Sequence, residues 1–259
     1  MKVITEPKYI FKYLSLEKFL DILINKRLYL TRINLWEDKY EGFPIDRIFK
    51  YVIEIDLYRK LEKELPNFAE LFSRSAKNCI YAQSWTWTPY ESEAMWKIYG
   101  MKSSCLRVKV ALKDIKEATI TSFKARGFRE PPNFYRVIYD NDFNNLPGII
   151  EGKTEIIVND KTFCQKKRKA YQHENEYRVS ITSNDFIEKI SDATIVDDIK
   201  NFNITISNKI EYFDYNPDCI KQVRFDPRLN ENMEEILKSI IKIYGYNIPV
   251  AKSELFGTI

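Results

Sequence analysis

Two glutamates one residue apart, Glu174 and Glu176 in HENEYR (173–178), are the first residues whose types and spacing suggest chemistry. On a strand they point to the same face, and two carboxylates so placed repel unless water, a cation or a ligand compensates. Tyr177 and Val179 then face a core, and Arg178 returns to the carboxylate face. A carboxylate pair of this kind suits a sugar or amine substrate. The plain alternative is an exposed strand face with an Arg–Glu pair. His173, directly before the pair, is a candidate for the same site.

A second group lies in QSWTWTPYESEAMWKIYG (83–100). Ser84, Thr86 and Thr88 alternate with Trp85 and Trp87, so a strand here has a hydroxyl face and an indole face. Met95, Trp96 and Tyr99 follow on a helix, where such residues form core more often than a ligand box. A buried Trp needs a partner for its N–H, which marks a specific environment. Lys12, at the end of the apolar strand in KYLS (12–15), is placed to hold an anion or pair with a carboxylate. A solvated strand end is its plain reading. The basic run KTFCQKKRK (161–169) reads as a helix whose charges face solvent, with contact to a phosphate backbone as the functional alternative.

Other chemistries are set aside by composition. One histidine leaves no zinc site built mainly from His, and any Ser-His-Asp or Cys-His system would have to use His173. No GxGxxG or GxxxxGK[ST] occurs, so neither phosphate cradle is signalled. The four cysteines are widely spaced and give no disulfide framework. No metal is expected. With 41 Lys+Arg against 37 Asp+Glu, the net charge of +4 is too small to imply a dedicated nucleic-acid protein. No apolar run reaches the roughly 18–20 residues of a membrane helix, and no signal peptide is read, so a cytoplasmic location is expected.

The elements that must position these residues read as follows. Strands are expected at 9–14, 28–33, 79–87, 105–112, 134–140, 173–181, 219–225 and 246–253. Helices are expected at 16–25 after Ser15, at 45–64, 67–75, 90–100, 161–171 and 230–245. The stretches 141–160 and 183–218 are weaker, the second reading as loop with one or two strands. Irregular alternation favours one α+β domain over 1–259 rather than a doubly wound sheet.

Taken together, the order of motifs resembles a bacterial family known only as domain of unknown function 2971. The opening KYLSLEKFLDILINKRLYLTRINLWEDKYEG, then SWTWTPYESEAMWKIYG, then KKRKAYQHENEYR, then VRFDPRL with its following helix and IPVAKS carry that resemblance. A more distant similarity is to ADP-ribosyltransferases, in which a first strand contacts NAD, a second carries a Ser motif and a last carries Glu-x-Glu. That resemblance implies a mixed, largely antiparallel split β-sheet core flanked by helices, and NAD as substrate. Lys12 or Tyr13 takes the first place and Ser84, with Trp85 or Thr86, the second. Glu176 is then the catalytic glutamate and Glu174 the accessory one. Trp85 or Trp96 would stack on nicotinamide, with His173 and Arg178 beside the glutamates as further NAD contacts. The implied activity is transfer to a protein, nucleic-acid or small-molecule acceptor, or NAD hydrolysis, as in a toxin or phage-defence effector. The alternative is a non-catalytic module that senses a nucleotide or binds a partner protein. A metal-dependent nuclease using Glu174, Glu176 and Asp38 is the third reading.

Overall fold

YIFKYLS becomes a central strand because it is apolar on both faces: β1 (Tyr9–Ser15) buries Ile10, Phe11, Tyr13 and Leu14. The computed structural model describes residues 5–38, 63, 77–100, 104–141, 161, 164–184, 208–230 and 232–256. Ser15 leads into α1 (Leu16–Asn25), which buries Phe19, Ile22 and Leu23 at helical spacing. The helix stops at Lys26, whose left-handed backbone (φ 51°) returns its N–H to the Ile22 carbonyl. β2 (Arg27–Arg32) then buries Leu28 and Leu30 on one face. β3 (Ile80–Thr86), α2 (Glu93–Gly100) and β4 (Cys105–Ala111) follow.

The next element, α3 (Leu112–Ala125), was not expected from the sequence. Two of the five residues in its buried stripe are polar: Leu112, Ile115, Thr119, Ser122 and Phe123. The Thr119 hydroxyl is satisfied inside the helix by donating to the Ile115 carbonyl at 2.6 Å. Beyond it come β5 (Asn133–Arg136), β6 (Ile138–Tyr139), β7 (Lys166–Lys167), β8 (Glu176–Thr182), β9 (Ile210–Asp214), β10 (Ile220–Phe225), α4 (Asn232–Ile243) and β11 (Val250–Lys252). The strand expected over 134–140 is broken at Val137, which is buried and donates to the Glu176 carbonyl. The expected helices at 45–64 and 67–75, apart from Lys63, and the weak stretches 142–160 and 185–207 lie outside the described residues.

Nine of the described strands form one mixed sheet, in the order β11-β10-β4-β1-β3-β2-β9 with β8 and β5 branching from β3, antiparallel except for β10 with β11; β6 and β7 form a separate parallel pair. The architecture is α+β. β3 carries β8 along its full length, from Ile80↔Thr182 to Thr86↔Glu176, and β8 carries β5. The opposite edge of β3 is shared: β2 pairs with Tyr81 and Ala82, while β1 pairs only at Phe11↔Thr86. The sheet therefore splits at β3, leaving the middle of that edge without a strand partner. The main core packs the helices against the sheet through residues such as Phe19, Leu30, Tyr81, Val108, Phe123 and Phe225. No described helix is long and apolar enough to cross a membrane.

Candidate functional site

The site grows out of that split. Where β1 leaves β3, the Ser84 carbonyl loses its place in the ladder, and a buried carbonyl must find another donor. Lys12 supplies it, its Nζ donating at 2.7 Å. The same ammonium lies 5.3 Å from the centre of the Trp85 ring. Across the β3–β8 pairing, Ser84 stands opposite Arg178 and Thr86 opposite Glu176, so all four share one face. The Ser84 hydroxyl donates to Glu176 Oε2 at 2.5 Å.

Glu176 is almost fully enclosed and its carboxylate is saturated with donors. Arg178 binds both oxygens, Nε to Oε2 at 2.7 Å and Nη2 to Oε1 at 3.1 Å. Lys167 Nζ binds Oε1 at 2.7 Å and also reaches Glu174 Oε2 at 2.7 Å. Arg178 has no exposed surface, donates to the Cys164 carbonyl at 2.7 Å and lies 4.8 Å from the Trp36 ring centre. The Tyr139 hydroxyl accepts from the Glu176 N–H at 2.8 Å. Burial by itself would raise the Glu176 carboxyl, but the charges of Arg178 and Lys167 outweigh it and hold it well below the usual carboxylate range.

Glu174 does not reach this place along a strand. It ends a 3₁₀ turn (Lys169–Glu174), and Asn175 in the left-handed region (φ 44°) swings the chain into β8. The two carboxylates meet through that turn and through Lys167, not through strand alternation. Burial raises Glu174 to about 7, and a hydrogen bond and charge from Glu176 act in the same direction. The two carboxyls, joined through Lys167, therefore titrate as a pair. On the other side of the cleft, burial lowers Lys12 to about 7, assisted by Lys18 and opposed by Glu176.

These shifts predict a dip in stability near neutrality. Glu174, raised from 4.5 to about 7, withdraws stability as pH rises across that window. Lys12, lowered from 10.5 to about 7, returns stability as pH rises from about 7 to 10.5. Melting temperature followed from pH 4 to 10 should lose its acidic limb in Glu174→Gln and its alkaline limb in Lys12→Met. Profiles of both variants parallel to wild type would contradict the assignment.

The cleft itself is lined by Phe11, Lys12, Tyr13, Ser84, Trp85, Thr86, Met95, Tyr99, Glu174 and Glu176. Its volume is about 30 Å³, space for about two waters. One wall is polar and the other is aromatic, with Tyr13 and Tyr99 near-parallel at 6.2 Å. The buried Thr86 hydroxyl has no hydrogen-bond partner among the described residues. Helix α2, which brings Met95 and Tyr99, is fixed from behind. Glu91 accepts from Arg224 at 2.5 Å, from the Trp96 indole at 3.3 Å and from Ser253. The Ser92 N–H donates to the Tyr13 hydroxyl at 3.2 Å.

Lys12, Tyr13, Ser84, Glu174 and Glu176 are therefore brought together. Trp96 is not: it has no exposed surface, meets Tyr13 edge-on at 4.9 Å, and sits behind the cleft wall where it stacks on no ligand. Trp85 borders the cleft, yet its ring is buried in the main core with its N–H on Gln83. His173 is exposed and does not line the cleft. Arg178 is an internal counter-ion to Glu176 and does not line the cleft either.

The basic run also departs from its expected solvated helix. Lys166 and Lys167 are buried in β7, and Arg168 pairs with the enclosed Asp38 at 2.9 Å. The Glu174 and Glu176 carboxylates draw Lys167 inward and Asp38 holds Arg168, so residues 166–168 do not form a solvated helix face. Lys167 and Tyr139 are the site residues that sequence reasoning missed. The available signal was that two adjacent buried acids require nearby cations. Asp38 is held by Arg168 rather than grouped with the glutamates, and among the described residues no cluster of three His, Cys, Asp or Glu is arranged for a metal. In comparison with known proteins, the chain matches no family model, no curated protein and no solved structure.

Proposed function

We propose that the chain is an NAD-consuming enzyme of the ADP-ribosyltransferase kind, acting as a transferase or an NAD glycohydrolase. The observation that carries this reading is the meeting of Lys12 and Tyr13, Ser84, and Glu176 in one cleft from strands far apart in sequence. Breaking the nicotinamide–ribose bond builds positive charge on the ribose, as in glycoside hydrolysis. A carboxylate kept ionised in an enclosed site stabilises that charge without reorganising. Glu176 is such a carboxylate. Glu174, with a proton affinity near neutrality, accepts the proton of the attacking hydroxyl or water. Tyr13 and Tyr99 offer a ring wall to the nicotinamide. An enzyme that drains NAD suits a bacterial toxin or phage-defence effector, with a protein, nucleic-acid or small-molecule acceptor.

The test is nicotinamide release from NAD by purified protein. Wild type should release it, and Glu174→Gln should slow release by about 100-fold or more. Gln at 174 keeps the cleft's shape and leaves Lys167 paired with Glu176, so the fold should survive. Release at equal rates by both proteins would remove Glu174 from the chemistry.

A second reading, a nucleotide-sensing module without turnover, has an observation of its own. Every acceptor position on Glu176 is already taken by protein donors, and the cleft is narrow. It predicts NAD retained in equilibrium dialysis with no nicotinamide formed.

A further inference from the structure

Helix α4 (Asn232–Ile243) carries more apolar surface than its place in the fold uses. Leu237 and Ile241 face inward and are buried. Ile236 and Ile243 lie on the outer face, 48% and 78% exposed, and Ile243 is the most exposed large aliphatic side chain among the described residues. Seven residues apart, these two stand nearly in line, separated by about 10 Å of helix axis. Ile240, packed partly against the main core, and Tyr244, 43% exposed, continue the apolar surface along the inner flank. The Tyr244 N–H donates to the Ile240 carbonyl at 3.2 Å, so the helical turn extends that far. Exposed aliphatics scattered singly need no explanation, but a row along one helix does.

The charges beside the row say what covers it. Glu235 and Lys242, also seven residues apart, share its outer flank, and both are exposed. Glu234 and Lys238 already pair with each other at 2.6 Å, whereas neither Glu235 nor Lys242 forms an ion pair among the described residues. The flank is thus acidic toward the start of the helix and basic toward its end. Laid antiparallel on the α4 of a second copy, row and flank both meet themselves. Ile236 then faces Ile243 of the second copy and Glu235 faces its Lys242. Ser239, small and exposed, lies at the centre, where the two axes come closest. A parallel pair would set Glu235 against Glu235 and Lys242 against Lys242, which repel.

We propose that α4 is a homodimer interface, in which two copies of this chain pack their α4 helices antiparallel about a two-fold axis beside Ser239. A surface complementary to itself under such an axis closes at two copies. One helix from each copy makes a small interface, so the dimer is weak and concentration-dependent. None of these residues lines the cleft, so the dimer is independent of the NAD reading.

Sedimentation equilibrium of the full chain, from micromolar to millimolar concentration, tests the proposal. A reversible monomer–dimer equilibrium is expected, weakened tenfold or more by Ile243→Glu. Glu235→Lys and Lys242→Glu should each weaken association severalfold. An equimolar mixture of those two variants should associate more tightly than either alone, because each copy then supplies the charge the other lacks. Every variant changes an exposed side chain, so the dilute monomers should melt as wild type does. A monomer at every concentration would overturn the proposal and leave the row to a different partner. A dimer indifferent to Ile243→Glu would overturn it by placing the interface elsewhere, and a mixture no tighter than its components would refute the antiparallel pairing.

Discussion

Glu176→Gln should lower stability by about 3–5 kcal/mol. In a chain of this size that corresponds to a melting temperature lower by roughly 6–20 °C. The side chain is isosteric, so the loss does not come from shape. It comes from Arg178, which has no exposed surface, and Lys167, whose side chain is 8% exposed, each losing its counter-charge in a place water does not reach. A neutral amide also turns one acceptor into a donor facing two cations. Chemical unfolding of wild type and variant side by side measures this. A stability within about 0.5 kcal/mol of wild type would mean that water reaches the ion group. The consequence for enzymology is direct. Lost activity in Glu176→Gln would mix catalysis with unfolding, so Glu174→Gln is the informative variant.

Trp96→Ala should cost a similar amount, about 3–5 kcal/mol, for a different reason. Trp96 has no exposed surface and packs with Tyr13, Met95 and Cys105 in a small core behind the cleft, apart from the main one. Removing the indole leaves a void there and takes one donor from Glu91, which keeps Arg224 and Ser253. α2 then loses its main anchor to β1, and the wall carrying Met95 and Tyr99 loosens. Denaturant unfolding checks the stability. A cost under about 1 kcal/mol would show that α2 is not held by this core.

What could be read from the sequence followed from pattern. Strands with apolar alternation, such as β2 and β4, and the amphipathic α1 and α4 stand close to their expected places. The Ser84–Glu176 meeting was implied by resemblance alone, because no local rule joins residues 92 apart. Helix α3 stayed hidden because Thr119 and Ser122 occupy core positions, where a hydrophobicity pattern registers nothing. A charge run reads as solvated because most are. Lys167 is internal because it neutralises Glu174 and Glu176, which only the folded chain brings to it. Asn175 in a left-handed conformation broke the period-2 argument for Glu174 and Glu176, although the carboxylates still converge.

The proposed chemistry needs a division of labour between Glu174 and Glu176: Glu176 ionised by its cations, Glu174 titrating near neutrality by burial. Carbon-13 NMR of the glutamate carboxyl groups, followed from pH 4 to 9, tests it most directly. One glutamate should titrate near pH 7 and vanish from the spectrum in Glu174→Gln, while the Glu176 signal stays at its ionised position throughout. No glutamate titrating between pH 6 and 8, or one that persists in Glu174→Gln, would contradict the account.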